Sequence, residues 1–207
     1  MARTPVLRNA TFAGSVLAAC LLASTSSASA GAPPDAPGYT TARTGGAHDF
    51  EYFAGGWRTT QHRLKARGVG SNEWDTFPAT LCMTPYLDGR VTADEIRFPT
   101  KGWAGFTLRS YDLAKKQWSV WWINSTSGRL ETPVVGGFDG ARGEFHGEDV
   151  DDGRPVKVRY RWDKVDHDHA RWEQAFSYDG RAWETNWTAD FVRADAATAC
   201  SNGRPRD

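Results

Sequence analysis

The sequence predicts an all-β protein, an antiparallel meander of about ten strands closed into a barrel. Ten Trp stand in 207 residues, most of them two positions from another large apolar residue. That spacing puts aromatic rings on one face of a strand. Asp-Gly pairs at Asp88-Gly89, Asp139-Gly140, Asp152-Gly153 and Asp179-Gly180 break the runs, and each suits the two positive-φ positions of a type I′ hairpin turn. With each pair taken as a two-residue loop, facing residues sort by charge, which is the third sign of hairpins.

Residues 1–30 precede the fold and read as a signal peptide. Arg3 and Arg8 form a basic start, Ala10 to Ala23 is apolar but too short to span a bilayer, and Ala28-Ser29-Ala30 fits a cleavage site before Gly31. The expected location is therefore periplasmic or secreted. Leu17-Ala18-Ala19-Cys20 offers an alternative, a lipobox that would anchor a lipoprotein through Cys20. The apolar run continues through Leu21 and Leu22 and a second cleavage site follows, which favours simple secretion. Residues 31–47, rich in Gly, Pro, Ala and Thr, read as a flexible linker. Residues 48–194 form one barrel domain with a single core, and 195–207 a C-terminal tail.

Lys plus Arg and Asp plus Glu both number 25, for a formal net charge of +0. Without a basic stripe the chain offers nothing to a phosphate backbone, so nucleic acid is not an expected partner, and no membrane span is expected either. Cys82 and Cys200 survive removal of the leader. In an oxidising compartment they are expected to form a disulfide clipping the tail to the barrel wall, the alternative being two free thiols.

An opening strand runs from Trp57 to about Lys65. Around Asp88-Gly89, Leu81 faces Ile96 and Ala79 faces Phe98 on the inner side, leaving Cys82, Glu95 and Arg97 outside. Gly102 to Leu113 is next, with Ala104, Phe106 and Leu108 on the apolar face opposite Thr107 and Arg109. In Gln117 to Ser125, Trp118, Val120, Trp122 and Asn124 alternate with Ser119, Trp121 and Ile123, so both faces are apolar and alternation does not choose. Leu130 to Phe138 follows, where Gly136-Gly137 suggests a bulge rather than a phosphate loop. Around Asp152-Gly153, Glu148 meets Lys157, His146 meets Arg159 and Glu144 meets Arg161 on a face expected to be solvated; Phe145 meets Tyr160 on the other. Around Asp179-Gly180, Phe176 is expected opposite Trp183, Gln174 opposite Thr185 and Trp172 opposite Trp187, all inward.

Residues His48 to Trp57 (HDFEYFAGGW) resemble the opening of bacterial exported lipocalin-like, calycin-type domains of uncharacterised function, in which a short helical turn precedes a Gly-x-Trp. Gly143 to Gly147, Glu173 to Ser177 and Trp183 to Trp187 are similar to the same family. The resemblance implies a barrel that takes a small apolar ligand, with Arg193 of the last strand lying over Trp57 at the floor. It names no ligand.

Inward rings and amides are the candidate ligand-binding residues: Trp57, Phe106, Trp122, Asn124, Phe145, Tyr160, Trp172, Gln174, Thr185 and Trp187. Gln61 shares the parity of Trp57. Buried amides need partners, either each other or a ligand. Glu144, His146 and Glu148 lie two apart, but cations facing them make an ion-pair ladder the better reading than a metal site. Asp166 to His169 reads as a solvated hairpin tip. Nitrobindin-type barrels, similar in overall plan, hold haem through a late histidine, which makes haem at His167 or His169 a minority reading; the Gly-x-Trp-x-Gly-x-Gly run is missing, since Arg58-Thr59-Thr60 follow Trp57. No nucleophile motif is present, so no catalytic residue, metal or cofactor is expected. The leading expectation is an exported barrel binding a small apolar or aromatic molecule. Its alternatives are a cofactor-free isomerase or cyclase using the same cavity, and a packed interaction barrel whose exposed Trp121 belongs to a docking patch.

Overall fold

The structure, a computed structural model, describes residues 31–206. The expected signal peptide, with Cys20, lies outside the described residues. A short 3₁₀ turn, Glu51–Phe53, leads into a closed barrel of ten antiparallel strands in simple meander order. They are β1 (Gly55–Leu64), β2 (Trp74–Tyr86), β3 (Val91–Phe98), β4 (Trp103–Asp112), β5 (Gln117–Asn124), β6 (Val134–Asp139), β7 (Arg142–Asp151), β8 (Arg154–Lys164), β9 (His169–Ser177) and β10 (Glu184–Ala194). Pairing of β1 with β10, Trp57 opposite Arg193, closes the ring. The tail adds α1 (Ala196–Ala199) and a two-stranded ribbon of β11 (Cys200–Ser201) and β12 (Arg204–Pro205). No helix among the described residues is long and apolar enough to cross a membrane.

Turn chemistry sets register where the loop is short. Asp152 and Gly153 both have positive φ, so Asp151 pairs with Arg154 and β7 meets β8 with Glu148 opposite Lys157, His146 opposite Arg159 and Glu144 opposite Arg161. Leu87, Asp88 and Gly89 likewise turn through positive φ, giving Leu81 opposite Ile96 and Cys82 opposite Glu95. Cys82 is bonded to Cys200 across a Cα–Cα distance of 6.0 Å. Of the other two Asp-Gly pairs only the glycines have positive φ. The β6–β7 loop centres on Gly140-Ala141, with Asp139 opposite Arg142.

The last hairpin differs from the expected register. Six residues, not two, separate β9 from β10, so Phe176 faces Glu184 and Ala175 faces Thr185. A bulge at Asn186 then shifts the ladder again, setting Gln174 opposite Trp187 and Trp172 opposite Ala189. Trp183 consequently leaves the lumen; its ring lies outside, its Nε1 donating to the carbonyl of Pro37 at 2.8 Å.

Parity is also reversed in β4. Gly105, Thr107 and Arg109 face the lumen, while Phe106 turns outward and is 38% exposed. The cause is local fit: a Cβ on Gly105 would stand 1.7 Å from Cη2 of Trp122, so only glycine leaves room for that indole on the inner face.

Residues 31–47, expected as a linker, lie as a strap over β7 and β8. Asp35 pairs with Lys157 at 3.0 Å and Arg43 with Glu144 at 3.0 Å, and Tyr39 tilts over His146. The ladder of Glu144, His146, Lys157 and Arg159 thus lies outside the barrel yet is buried, not solvated. These side chains supply the partners that compensate a segment poor in apolar residues.

Candidate functional site

The floor is made first. Phe50, 0% exposed, drops from the strand-preceding segment into a ring of Trp118, Phe138, Phe145 and Trp162 with centroids 5.0–6.0 Å away. The contacts with Trp118, Phe138 and Trp162 are edge-on, which suits the quadrupoles of the rings. Trp57 is fully buried, its Nε1 donating to the carbonyl of Phe53 at 2.8 Å. Arg193 lies over that indole, Cζ 4.2 Å from the ring, and donates to the carbonyls of Ala54 and Tyr52. These groups seal one end of the barrel against water.

Above the floor lies a cavity of about 210 Å³. Six of the ten sequence-predicted residues line it: Trp122, Asn124, Tyr160, Trp172, Gln174 and Trp187. Trp57 and Phe145 are buried in the floor beneath. Phe106 and Thr185 do not line it, Phe106 because of the β4 parity and Thr185 because of the register shift before the bulge. The expected pair of Gln174 and Thr185 is replaced by Gln174 and Asn186, Nε2 donating to Oδ1 at 2.8 Å. Gln61 accepts from Trp187 Nε1 at 2.8 Å and donates to Thr59, so its amide is spent internally.

The deep end of the cavity holds what the sequence reading missed. Asp94 of β3 and Arg109 of β4, each 1% exposed, form a side-chain ion pair inside the barrel. The guanidinium lies 4.8 Å from the Phe50 ring and 5.4 Å from that of Trp162. Only one oxygen of Asp94 is engaged in that hydrogen bond: Oδ1 of Asp94, Nε of Arg109 and the Nε1 atoms of Trp162 and Trp172 are buried without a partner among the described residues. All four residues line the cavity. The available signal was the alternation of Thr92, Asp94, Ile96 and Phe98 in β3, which places Asp94 on the same face as the buried Ile96.

At the open end, Arg63 stacks over Trp187 at 4.7 Å, and Arg67 pairs with Asp151. Burial pushes the carboxyl of Glu131 above its usual range, with Asp149 adding repulsion; Asp149 is raised by its own burial and by Asp151. Tyr160 stays protonated far beyond neutral pH, chiefly from burial and then from these two carboxylates. Its hydroxyl is therefore a neutral donor on the cavity wall.

His167 and His169 lie on the exterior, in the loop after β8 and at the start of β9, 87% and 53% exposed, each beside an aspartate. Among the described residues no group of three or more His, Cys, Asp or Glu is disposed to hold a metal ion.

No family model matches the sequence. No curated protein matches it either. Solved structures do match: a redesigned β-barrel at 8% identity, TM-score 0.42, covers 73% of this chain and 100% of its own. A protein of unknown function of the DUF3598 family from Nostoc punctiforme, at 11% identity and TM-score 0.42, covers 76% of this chain. The match spans about half of that protein, 53%. The barrel itself rests on the strand order of this chain, a closed ring of ten antiparallel strands.

Proposed function

We propose that this protein is an exported, lipocalin-like barrel that binds one small, mainly aromatic or apolar molecule in its lumen. The observation that carries this reading is the cavity of about 210 Å³, closed below by the aromatic floor and walled by Trp122, Tyr160, Trp172 and Trp187. A core filled by its own side chains would leave no such space, because interiors pack near 0.75 density with few voids larger than a water. An apolar cavity of about 150 Å³ suffices for benzene, and drug-sized ligands need about 300 Å³ or more. A molecule of one or two rings fits between these bounds. Export is supported by the Cys82–Cys200 disulfide, which is compatible with an extracellular location.

The test is native mass spectrometry of the protein purified from its own source, paired with tryptophan fluorescence titrated against one- and two-ring compounds. A co-purifying mass, or a saturable change in emission with a parallel rise in thermal midpoint, is the expected result. At a ligand concentration of 100 Kd the stabilisation amounts to about 2.7 kcal/mol. Absence of any bound mass and of any saturable response across the set refutes the reading.

A further inference from the structure

The deep end of the lumen is chemically unlike its walls. The Asp94–Arg109 pair sits where neither side chain is more than 1% exposed, and Asp94 Oδ1, Arg109 Nε and Trp162 Nε1 have no partner among the described residues. A buried polar atom left unpaired costs about 1–3 kcal/mol, more when it is charged. One such atom is a packing compromise. One free acceptor beside free donors, all from residues that line the same cavity, is a recognition pattern.

Resting on the ligand-binding reading above, we propose that the lumen selects neutral aromatic molecules carrying a hydroxyl group, seated with that group against Asp94 and Arg109. A hydroxyl both donates and accepts, so it can give its proton to Asp94 Oδ1 while an oxygen lone pair takes an N–H from Arg109 or from Trp162 or Trp172. An apolar ring alone satisfies none of these atoms. A carboxylate brings a third charge into a site where the two existing ones already cancel, and such a charge is costly out of water. The ring of the ligand meets Tyr160, Trp172 and Trp187, whose geometry suits offset or edge contacts.

Isothermal titration calorimetry with p-cresol, its isostere p-xylene and 4-methylbenzoate tests the specificity directly. p-Cresol is expected to bind at least about tenfold tighter than either, the worth of one buried hydrogen bond. In the double variant Asp94→Leu with Arg109→Met, which leaves no charge stranded, p-xylene binding is expected to persist while the preference for p-cresol disappears. A circular dichroism spectrum and cooperative unfolding of the double variant establish that the barrel is intact. Equal affinity of p-cresol and p-xylene for the wild-type protein overturns the proposal while leaving the ligand-binding reading in place, as does tightest binding of 4-methylbenzoate. Binding of none of the three overturns the proposal, and the ligand-binding reading falls with it only when the wider one- and two-ring set and the native mass spectrum are also blank.

Discussion

Removing one member of the Asp94–Arg109 pair strands the other in a site with no more than 1% exposure. Asp94→Ala is therefore expected to destabilise the barrel by about 3–5 kcal/mol in urea unfolding, whereas joint replacement by Leu and Met leaves stability unchanged or higher. The contrast separates the pair's role in stability from its role in the lumen. A large loss in the double variant, matching that of the single one, contradicts it. The same two residues show a limit of pattern reading. Alternation in β3 places Asp94 on the face of Ile96, and alternation in β4 places Arg109 opposite Phe106, which by size and apolarity is the residue expected inward. What decided the matter was Gly105, a position whose missing side chain admits the Trp122 ring, and single-strand periodicity carries no information about a ring on the neighbouring strand.

At the scale of elements, the strap of residues 31–47 is held by a histidine. His146, 1% exposed, has its Nδ1 within 2.9 Å of the Thr40 carbonyl oxygen, and its ring lies between those of Tyr39 and Trp183, tilted to both. Burial holds the imidazole below its ordinary value of 6.5, with Glu144 pulling the other way. A group whose folded value is depressed favours the docked state above 6.5 and withdraws that support as pH falls toward the folded value. Hydrogen exchange of residues 36–44, corrected for intrinsic rates, is expected to be more protected at pH 7.5 than at pH 5.5, and His146→Asn to remove most of the difference. Unchanged protection in the wild-type protein sinks the idea. The strap itself was hidden because its polar composition reads as unable to bury enough surface; its partners Glu144, Lys157 and Trp183 come from over 100 residues later. Elements with local rules were legible instead. The β7–β8 ladder followed from Asp152-Gly153, because two positive-φ residues fix the pairing. The β9–β10 ladder did not, because a six-residue loop and the Asn186 bulge obey no such rule.

For the whole molecule, the Cys82–Cys200 bond ties β2 to the tail across a sequence separation of 118. Closing a loop of that size restricts the unfolded chain, so reduction is expected to lower unfolding free energy by about 2–4 kcal/mol with the barrel still folded. Urea titrations with and without dithiothreitol measure it; identical midpoints count against the bond as a brace. Fold class was the most legible property of all, since ring spacing and turn glycines are repeated along the chain and an error in one hairpin leaves the others standing.

The seam between β1 and β10 joins the first and last strands of a meander in which every other neighbour is also the next in sequence. Nine of the ten strand pairings can therefore zip as successive local hairpins, while the seam must wait for the final strand to be made. Until then the aromatic interior is an open, curled sheet with two unpaired edges, the arrangement most prone to joining a second chain. Cys200 follows β10 and Cys82 lies on β2, the other neighbour of β1, so their bond spans this seam and braces it from the tail.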